Sequence, residues 1–381
     1  MYLDHNATTL VAPEVREVML LFLGEAGFNP SSPYRPAQRV RAAVDRARED
    51  VAAMLRCEPE EITFTSCATE SCNLAILGTA RSARAGSHFV TATTEHHAVL
   101  NAMRAVRASG HDVTVLPADR QGRIDVGEFR DALRPGTVMA AVMMVNNETG
   151  VIQDVSAMGR ICRERGVLFL CDATAAIGKM PVHPHDIPCD FLALSGHKFY
   201  APKGIGALFV RRGVKANPIM FGGEQEEGLR PGTENVAGIV GLGVASRRAV
   251  KFVESGGPES LRRIRDRIES AVRARLSGAE IIAAGAPRVC NTSSIRMNGL
   301  RNDELVVSLD ADGICVSTGS ACATGASLPS HVIRAMGYAD DEAREVIRVS
   351  LGGENTEADA DRFVSALVRS AERLKGMASA R

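Results

Sequence analysis

Ser195-Gly196-His197-Lys198 follows the apolar run FLAL (191–194) and precedes GIGALFV (204–210). A lysine behind a buried strand is costly unless it meets an acceptor or an anion, so its neighbours decide whether it faces water or a site. Four other polar clusters stand in the same relation to an apolar run. Thr65-Ser66-Cys67-Ala68-Thr69 follows EITF, and Thr94-Glu95-His96-His97 follows HFVTA. Asn146-Asn147-Glu148-Thr149-Gly150 follows VMAAVMMV, and Asp172-Ala173-Thr174 follows VLFLC. Ligands of open α/β sheets collect beyond the carboxyl ends of the strands, so five such clusters predict one site on one rim.

The chemistry of the clusters is mutually consistent. Small hydroxyl residues and free amides at a helix start, as in SCAT, suit a phosphate. Asp172 at the end of a buried strand requires a cation or a donor. His96, opening a helix, can lie flat against an aromatic ring, and Lys198 can form a Schiff base with an aldehyde. Phosphate, cationic ring nitrogen, planar ring and aldehyde together describe pyridoxal 5′-phosphate. Singly, each residue has a plainer reading: Thr69 in a helix start, Asn147 in a turn, Asp172 as a helix cap, His96 in a first turn. Their coincidence at successive strand ends favours the cofactor.

A second reactive group lies in CVSTGSACATGASLPSHVIRAMG. Cys322 sits among Gly, Ser, Ala and Thr, with no periodic pattern between residues 317 and 326. A thiol on such a loop is a candidate nucleophile that carries sulfur between sites; the alternative is an incidental surface thiol. Cys315, between Ile314 and Val316, reads as core. Arg348, in the apolar strand VIRVSLG, offers a guanidinium fork for a carboxylate; the alternative is an edge arginine facing water.

The elements that position these groups alternate. A helical pattern from about residue 36 leads to EITFTS and then to the helical run ESCNLAILGTARSARA. HFVTATT, TVMAAVMMV and VLFLCDA are uninterrupted apolar strands separated by helices, the pattern of a doubly wound, mostly parallel sheet. FLAL and GIGALFV are close enough to pair as an antiparallel edge. A long helix, VAGIVGLGVASRRAVKFVESGG, follows. Beyond it come strands near TSSIRMNG, GICVST and VIRVSLG with helices between, a smaller α+β unit. The predicted division is residues 14–250 as the large domain, with 1–13 and 251–381 as the small domain carrying the loop at about 317–328.

Composition excludes several classes. The 381 residues are 45% hydrophobic and 24% charged, and Lys+Arg and Asp+Glu both number 45. A net charge of zero argues against a nucleic-acid footprint or a polybasic membrane surface, and no apolar run approaches a membrane span. The N-terminus lacks the pattern of a signal peptide, and nine cysteines without one predict reduced thiols in the cytoplasm. No G-x-G-x-x-G or G-x-x-x-x-G-K-[ST] motif occurs. The spacing of Cys171, His183, His185 and Cys189 fits no common zinc motif, so no metal site is expected.

The segments YLDHNATT, FTSCATES, TEHHAVL, VNNETGVIQD, DATAAIGK, SGHKFYAPKGIGALFVRR, RPGTENV, STGSACATGAS, SHVIRAMG and IRVSLG resemble, in order, the signatures of the NifS/IscS-type cysteine desulfurases. These are homodimeric class-V aminotransferases with the aspartate-aminotransferase fold, fold type I. The resemblance implies that Lys198 binds pyridoxal 5′-phosphate covalently and shuttles protons, that His96 stacks on the ring and that Asp172 pairs with its nitrogen. It puts Asn147 near the ring oxygen and the phosphate on Ala68, Thr69, Ser195 and His197, with Thr233 supplied by the other subunit. Arg348 and Asn29 would bind the carboxylate of L-cysteine. Cys322 would take the sulfur as a persulfide, releasing L-alanine, for transfer to an acceptor in iron–sulfur cluster or thio-cofactor and tRNA biosynthesis.

The match has departures. Ala175 stands where the family usually has a glutamine that donates to the ring oxygen. Cys67 replaces a common glycine, Tyr34 a common histidine, and Gly353-Glu354 an Arg-aromatic pair. The sequence ends soon after its last helix, without the longer tail with which IscS-like members engage their scaffold, so the resemblance names no acceptor. Alternatives are a selenocysteine lyase-like enzyme on the same fold, or a catalytically weak scaffold in a sulfur-transfer complex.

Overall fold

The computed structural model describes residues 1–319 and 328–379. The chain opens with α1 (Pro13–Leu23) and α2 (Arg35–Leu55), followed by β1 (Ile62–Thr65) and α3 (Ala68–Ser82). Then β2 (His88–Ala92), α4 (His97–Ala108), β3 (Asp112–Leu116), α5 (Val126–Ala132) and β4 (Thr137–Met143) succeed one another. α6 (Val155–Glu164), β5 (Leu168–Asp172), β6 (Phe191–Ser195), β7 (Gly206–Val210) and α7 (Val236–Glu254) complete the first sheet and its cover. The remainder comprises α8 (Gly257–Arg275), β8 (Ala279–Ile281), β9 (Thr292–Met297), α9 (Asn302–Ala311), α10 (His331–Ala335), α11 (Asp340–Ala343), β10 (Val346–Ser350) and α12 (Glu357–Ser379).

The larger sheet has seven strands in the order β1-β7-β6-β5-β4-β2-β3. The pairs from β3 to β6 are parallel, and β6–β7 and β7–β1 are antiparallel. The expected β6–β7 pairing is present, but it is not the edge: β1 adds outside it. Because two reversals cancel, β1 runs parallel to β6, and its carboxyl end lies on the same rim. β3, at the opposite edge, is a strand the sequence pattern does not predict; its residues DVTVL mix exposed and buried positions and lack the apolar continuity of the central strands.

Successive central residues serve opposite faces, as a pleated strand requires. Ala140, Val142, Phe169, Cys171, Leu192 and Leu194 enter one apolar cluster, and Met139, Ala141, Leu170, Phe191 and Ala193 enter the other. Covered on both faces, these strands read as unbroken apolar runs. The outer side of β1 is closed by side chains. Arg48 Nη1 donates to Ile62 O at 2.5 Å, Glu226 Oε2 accepts from Phe64 N at 2.8 Å, and Arg48 and Glu226 pair through the two terminal guanidinium nitrogens. That ion pair occupies polar groups that an open strand edge would leave for another chain.

The smaller sheet is antiparallel, β10-β9-β8. GICVST forms no strand of its own: Cys315 bridges to Tyr2 and Ser317 to Arg348 as isolated pairs. Cys315 is exposed rather than core. Ile314 and Val316 are both buried, and the alternation of extended backbone turns the residue between them outward. A further bridge, Asp4 to Ser350, lays the N-terminal segment along β10.

Candidate active site

A cavity of ≈ 500 Å³ opens beyond the carboxyl ends of β1, β2, β4, β5 and β6. Ala68, Thr69, His96, Asn147, Asp172, Ser195, His197, Lys198 and Arg348 all line it, so the five clusters meet. Each is placed by the element it terminates.

At the end of β1 the chain turns through Cys67, which is extended, and enters α3 without a side-chain cap. The first amides of α3 are therefore left for a ligand. Gly206 allows this turn its place, since a Cβ there would lie 2.9 Å from the Cys67 backbone and 2.6 Å from Leu194 O. On β6, Ser195 Oγ is buried and has no partner among the described residues. Next to it, His197 Nδ1 meets Thr8 Oγ1 at 3.2 Å. Burial, and then the charge of Lys198, push the His197 pKa down to about 4, so its ring is neutral. Uncapped amides, an orphaned hydroxyl and a neutral imidazole are groups that could hold a phosphate.

Lys198 does not point into water. Its Nζ donates to Asn6 O at 2.6 Å and Ala7 O at 2.9 Å, while the side chain lines the cavity. Asp172, the last residue of β5, is buried, and one carboxylate oxygen accepts from Thr174 N at 2.9 Å. His96 caps α4 through Nδ1, which accepts from Ala98 N at 3.1 Å. Burial lowers its pKa against the opposing charge of Asp172. With Nδ1 an acceptor and the ring neutral, the proton resides on Nε2.

Arg348 is 2% exposed, which rules out the water-facing reading. Its Nη2 donates to Asp4 Oδ1 at 2.6 Å and its Nη1 to Asn147 O at 3.1 Å, and Nε has no partner among the described residues. The same Asn147 carbonyl accepts from Asn6 Nδ2 at 3.0 Å. Ala175 lines the cavity, and its carbonyl accepts from Lys179 Nζ at 3.2 Å. Glu148 also lines it, its carboxylate taking the Ser330 hydroxyl at 2.5 Å.

Two expected site residues among those described are not in this wall, and a third cannot be placed. Asn29 is exposed in the connection between α1 and α2, where its Oδ1 accepts from Ser31 N at 2.9 Å. Thr233 is exposed and does not line the cavity. Cys322 lies outside the described residues. Conversely, Asp4, Asn6, Glu148, Lys179 and His331 contribute to the site or its support without having been singled out. The DHN and GK that contain three of them lie inside the quoted signature segments, which was the available signal.

The zinc-like quartet has other occupations. Cys171 and Cys189 are buried, His183 meets Asp186 at 3.1 Å, and His185 lies 3.5 Å from Glu61. Burial raises the thiol pKa of Cys72, Cys171, Cys189 and Cys290, and pushes those of Cys57 and Cys162 up to about 12. Cys67, by contrast, lines the cavity.

Comparison with known proteins gives a consistent family. The model of the class-V aminotransferases matches residues 1–363. A cysteine desulfurase of Trichormus azollae is 40% identical over 377 residues, covering 99% of this chain and 94% of its own length. A solved NifS-like protein superposes with a TM-score of 0.91 at 34% identity, covering 98% of this chain and 100% of that one. SspA, solved in complex with cysteine, superposes with a TM-score of 0.83 at 33% identity over 93% of this chain and 99% of that one.

Proposed function

The chain belongs to the class-V aminotransferase family and is of the NifS/IscS cysteine-desulfurase type, and we propose that it takes sulfur from L-cysteine with pyridoxal 5′-phosphate held in this cavity. The observation that carries the reading is the convergence of Lys198, Asp172, His96, Arg348 and the uncapped start of α3 on one space. The residues fit the cofactor: among the described residues Ser195 Oγ has no partner and the start of α3 has no side-chain cap, where a phosphate needs donors. When bound, the cofactor supplies an aldehyde for the substrate amine and a sink for the electrons of a broken bond.

The protein's own residues then divide the work. Ala68 and Thr69 amides, Ser195 and His197 hold the phosphate, and the partner subunit's Thr233 adds to it. The Asp172 carboxylate keeps the ring nitrogen protonated. His96 stacks on the ring and presents Nε2–H to the reacting atoms. Lys198 Nζ, released from the Asn6 and Ala7 carbonyls, takes and returns a proton. Arg348, held by Asp4 and Asn147 O, offers Nε to the substrate carboxylate, and Asn29 assists. The Cys322 thiolate attacks the substrate sulfur: an S–S bond forms as the Cβ–S bond breaks, and protonation of the carbon gives L-alanine. The persulfide then passes to an acceptor protein, such as an iron–sulfur scaffold or a thiolating enzyme.

The working form in this reading is a cytoplasmic homodimer, built from a large domain (14–250) and a small one (1–13 with 251–381). Exposed Leu20, Leu21 and Leu23 on α1, with Phe28, Tyr34, Met220 and Phe221, support a second copy as their cover. Among the described residues no helix is long and apolar enough to cross a membrane.

The test is product balance. The protein loaded with pyridoxal 5′-phosphate and given L-cysteine under reducing conditions should release alanine and sulfide in equal amounts. Neither product, with the cofactor demonstrably bound, would overturn the desulfurase reading.

A further inference from the structure

The cavity contains a second amine that the scheme above leaves idle. Lys179 lines the same wall as Lys198, Asp172, His197 and Ala175. It is 8% exposed, and among the described residues its Nζ makes one hydrogen bond, to Ala175 O at 3.2 Å. No carboxylate lies within ion-pair distance of it among the described residues. Its backbone is fixed at both ends of the residue: Lys179 N donates to Ala176 O at 3.0 Å, and Lys179 O lies 3.7 Å from Cys290 Sγ. An ammonium has three N–H donors and no acceptor. One of its three is engaged by protein, in a place where an unpaired charge costs several kcal/mol.

Burial lowers the Lys179 pKa to about 8, and a perturbed, underused amine in the wall of a cleft marks a functional position. Each other anionic or polar feature of the proposed cofactor already has its holder: the phosphate at the start of α3, the ring nitrogen at Asp172, the substrate carboxylate at Arg348. By the resemblance, position 175 is where a side chain donates to the ring oxygen, with Asn147 near it; both residues line the cavity. The methyl side chain of Ala175 has no donor to give. Lys179, hydrogen-bonded to the carbonyl of that same residue, does.

We propose that Lys179 donates a hydrogen bond to the ring oxygen of bound pyridoxal 5′-phosphate, in place of the side-chain donor that Ala175 lacks. The inference rests on the functional reading above. Lys179 is thus a positioning residue that tunes the cofactor electrostatically, and Lys198 keeps the covalent role. A cation at the ring oxygen favours its anionic form and disfavours a proton on the adjacent lysine-bound nitrogen. The pH at which the bound cofactor changes its visible absorbance is therefore set low.

The experiment is a spectral pH titration of the holoprotein, without substrate. The wild-type protein must first show a visible band that Lys198→Ala abolishes; failure here sinks the functional reading and not merely this inference. Given the band, Lys179→Met should raise the titration midpoint by about one pH unit, a tenfold change in proton affinity, and Lys179→Arg should restore most of it. Adding Ala175→Gln to Lys179→Met should bring the midpoint back down, since an amide then reaches the same oxygen. An unmoved midpoint in Lys179→Met protein that still binds the cofactor would overturn the proposal. A higher KM for cysteine with an unmoved midpoint would overturn it too, placing the amine on the substrate instead. If Lys179→Met does not fold, the Lys179→Gln titration serves as the same test, with a smaller rise expected.

Discussion

Asp4 Oδ1 lies 2.6 Å from Arg348 Nη2, joining residues 344 positions apart at the wall of the cavity. The arginine is almost wholly buried and the aspartate only partly, so the pair supplies the counter-charge that keeps a cavity-lining guanidinium tolerable. It also ties the N-terminal segment to β10 beside the Asp4–Ser350 bridge.

Removing the acid should therefore cost stability as well as substrate affinity. Asp4→Ala strands a buried cation and should destabilise the fold by about 3 kcal/mol, with a smaller loss for Asp4→Asn, which keeps an oxygen. Urea unfolding measures both. A loss below about 0.5 kcal/mol for the alanine variant would mean that the carbonyls of Asn147 and Gly319, to which Arg348 Nη1 donates at 3.1 and 3.5 Å, suffice.

Lys198 and Cys322 should separate cleanly. Lys198→Ala should lose the visible cofactor band on dialysis and slow alanine release by about 10²-fold or more. Cys322→Ala should keep the band and still release no alanine. Continued turnover by the cysteine variant at the normal rate would remove Cys322 from the scheme.

Gly206 has no room for a side chain, because the atoms facing its missing Cβ are backbone atoms of Leu194 and Cys67. Gly206→Ala should cost about 1–3 kcal/mol and displace the start of α3. Equilibrium dialysis against pyridoxal 5′-phosphate should show weakened binding. Unchanged affinity would detach the phosphate cradle from this turn.

Acid should weaken the fold through its histidines. Burial lowers the pKa of His5, His88, His96, His97 and His197, the last to about 4. The unfolded chain takes these protons near pH 6.5, so between the two values the unfolded state binds more protons and stability rises with pH. The contribution is whole above about pH 6.5 and is lost as pH falls toward 4. Glu95, whose buried carboxyl has a raised pKa, works in the opposite sense. Comparing urea midpoints of wild type and His197→Asn at pH 7.5 and pH 5 isolates the histidine. The variant should lose less on acidification, and an equal loss would refute the assignment.

Much of the site was legible because its residues occupy strand ends, and central strands of a covered sheet announce themselves as unbroken apolar runs. Thr69, His96, Asp172 and Lys198 follow directly from such runs. What escaped was of a different kind. The antiparallel placement of β1 is set by its pairing with β7 across a long separation, and ITFT looks the same in either direction. β3 was hidden by its half-polar alternation as an edge strand. Asp4 and Lys179 gain their meaning only from Arg348 and Ala175, and a single acid or amine in a polar stretch carries no periodicity. GICVST has the composition of a strand, yet it pairs at only two isolated points.

The interior thiols have a bearing on traffic in reactive sulfur. Thiol–persulfide and thiol–disulfide exchange proceed through thiolates, and burial keeps Cys72, Cys162, Cys171, Cys189 and Cys290 protonated. Sulfur mobilised at the cavity therefore finds no ready acceptor in the protein's own core. The fold insulates these five cysteines from the cargo, and Cys67, which lines the cavity, stands outside that protection.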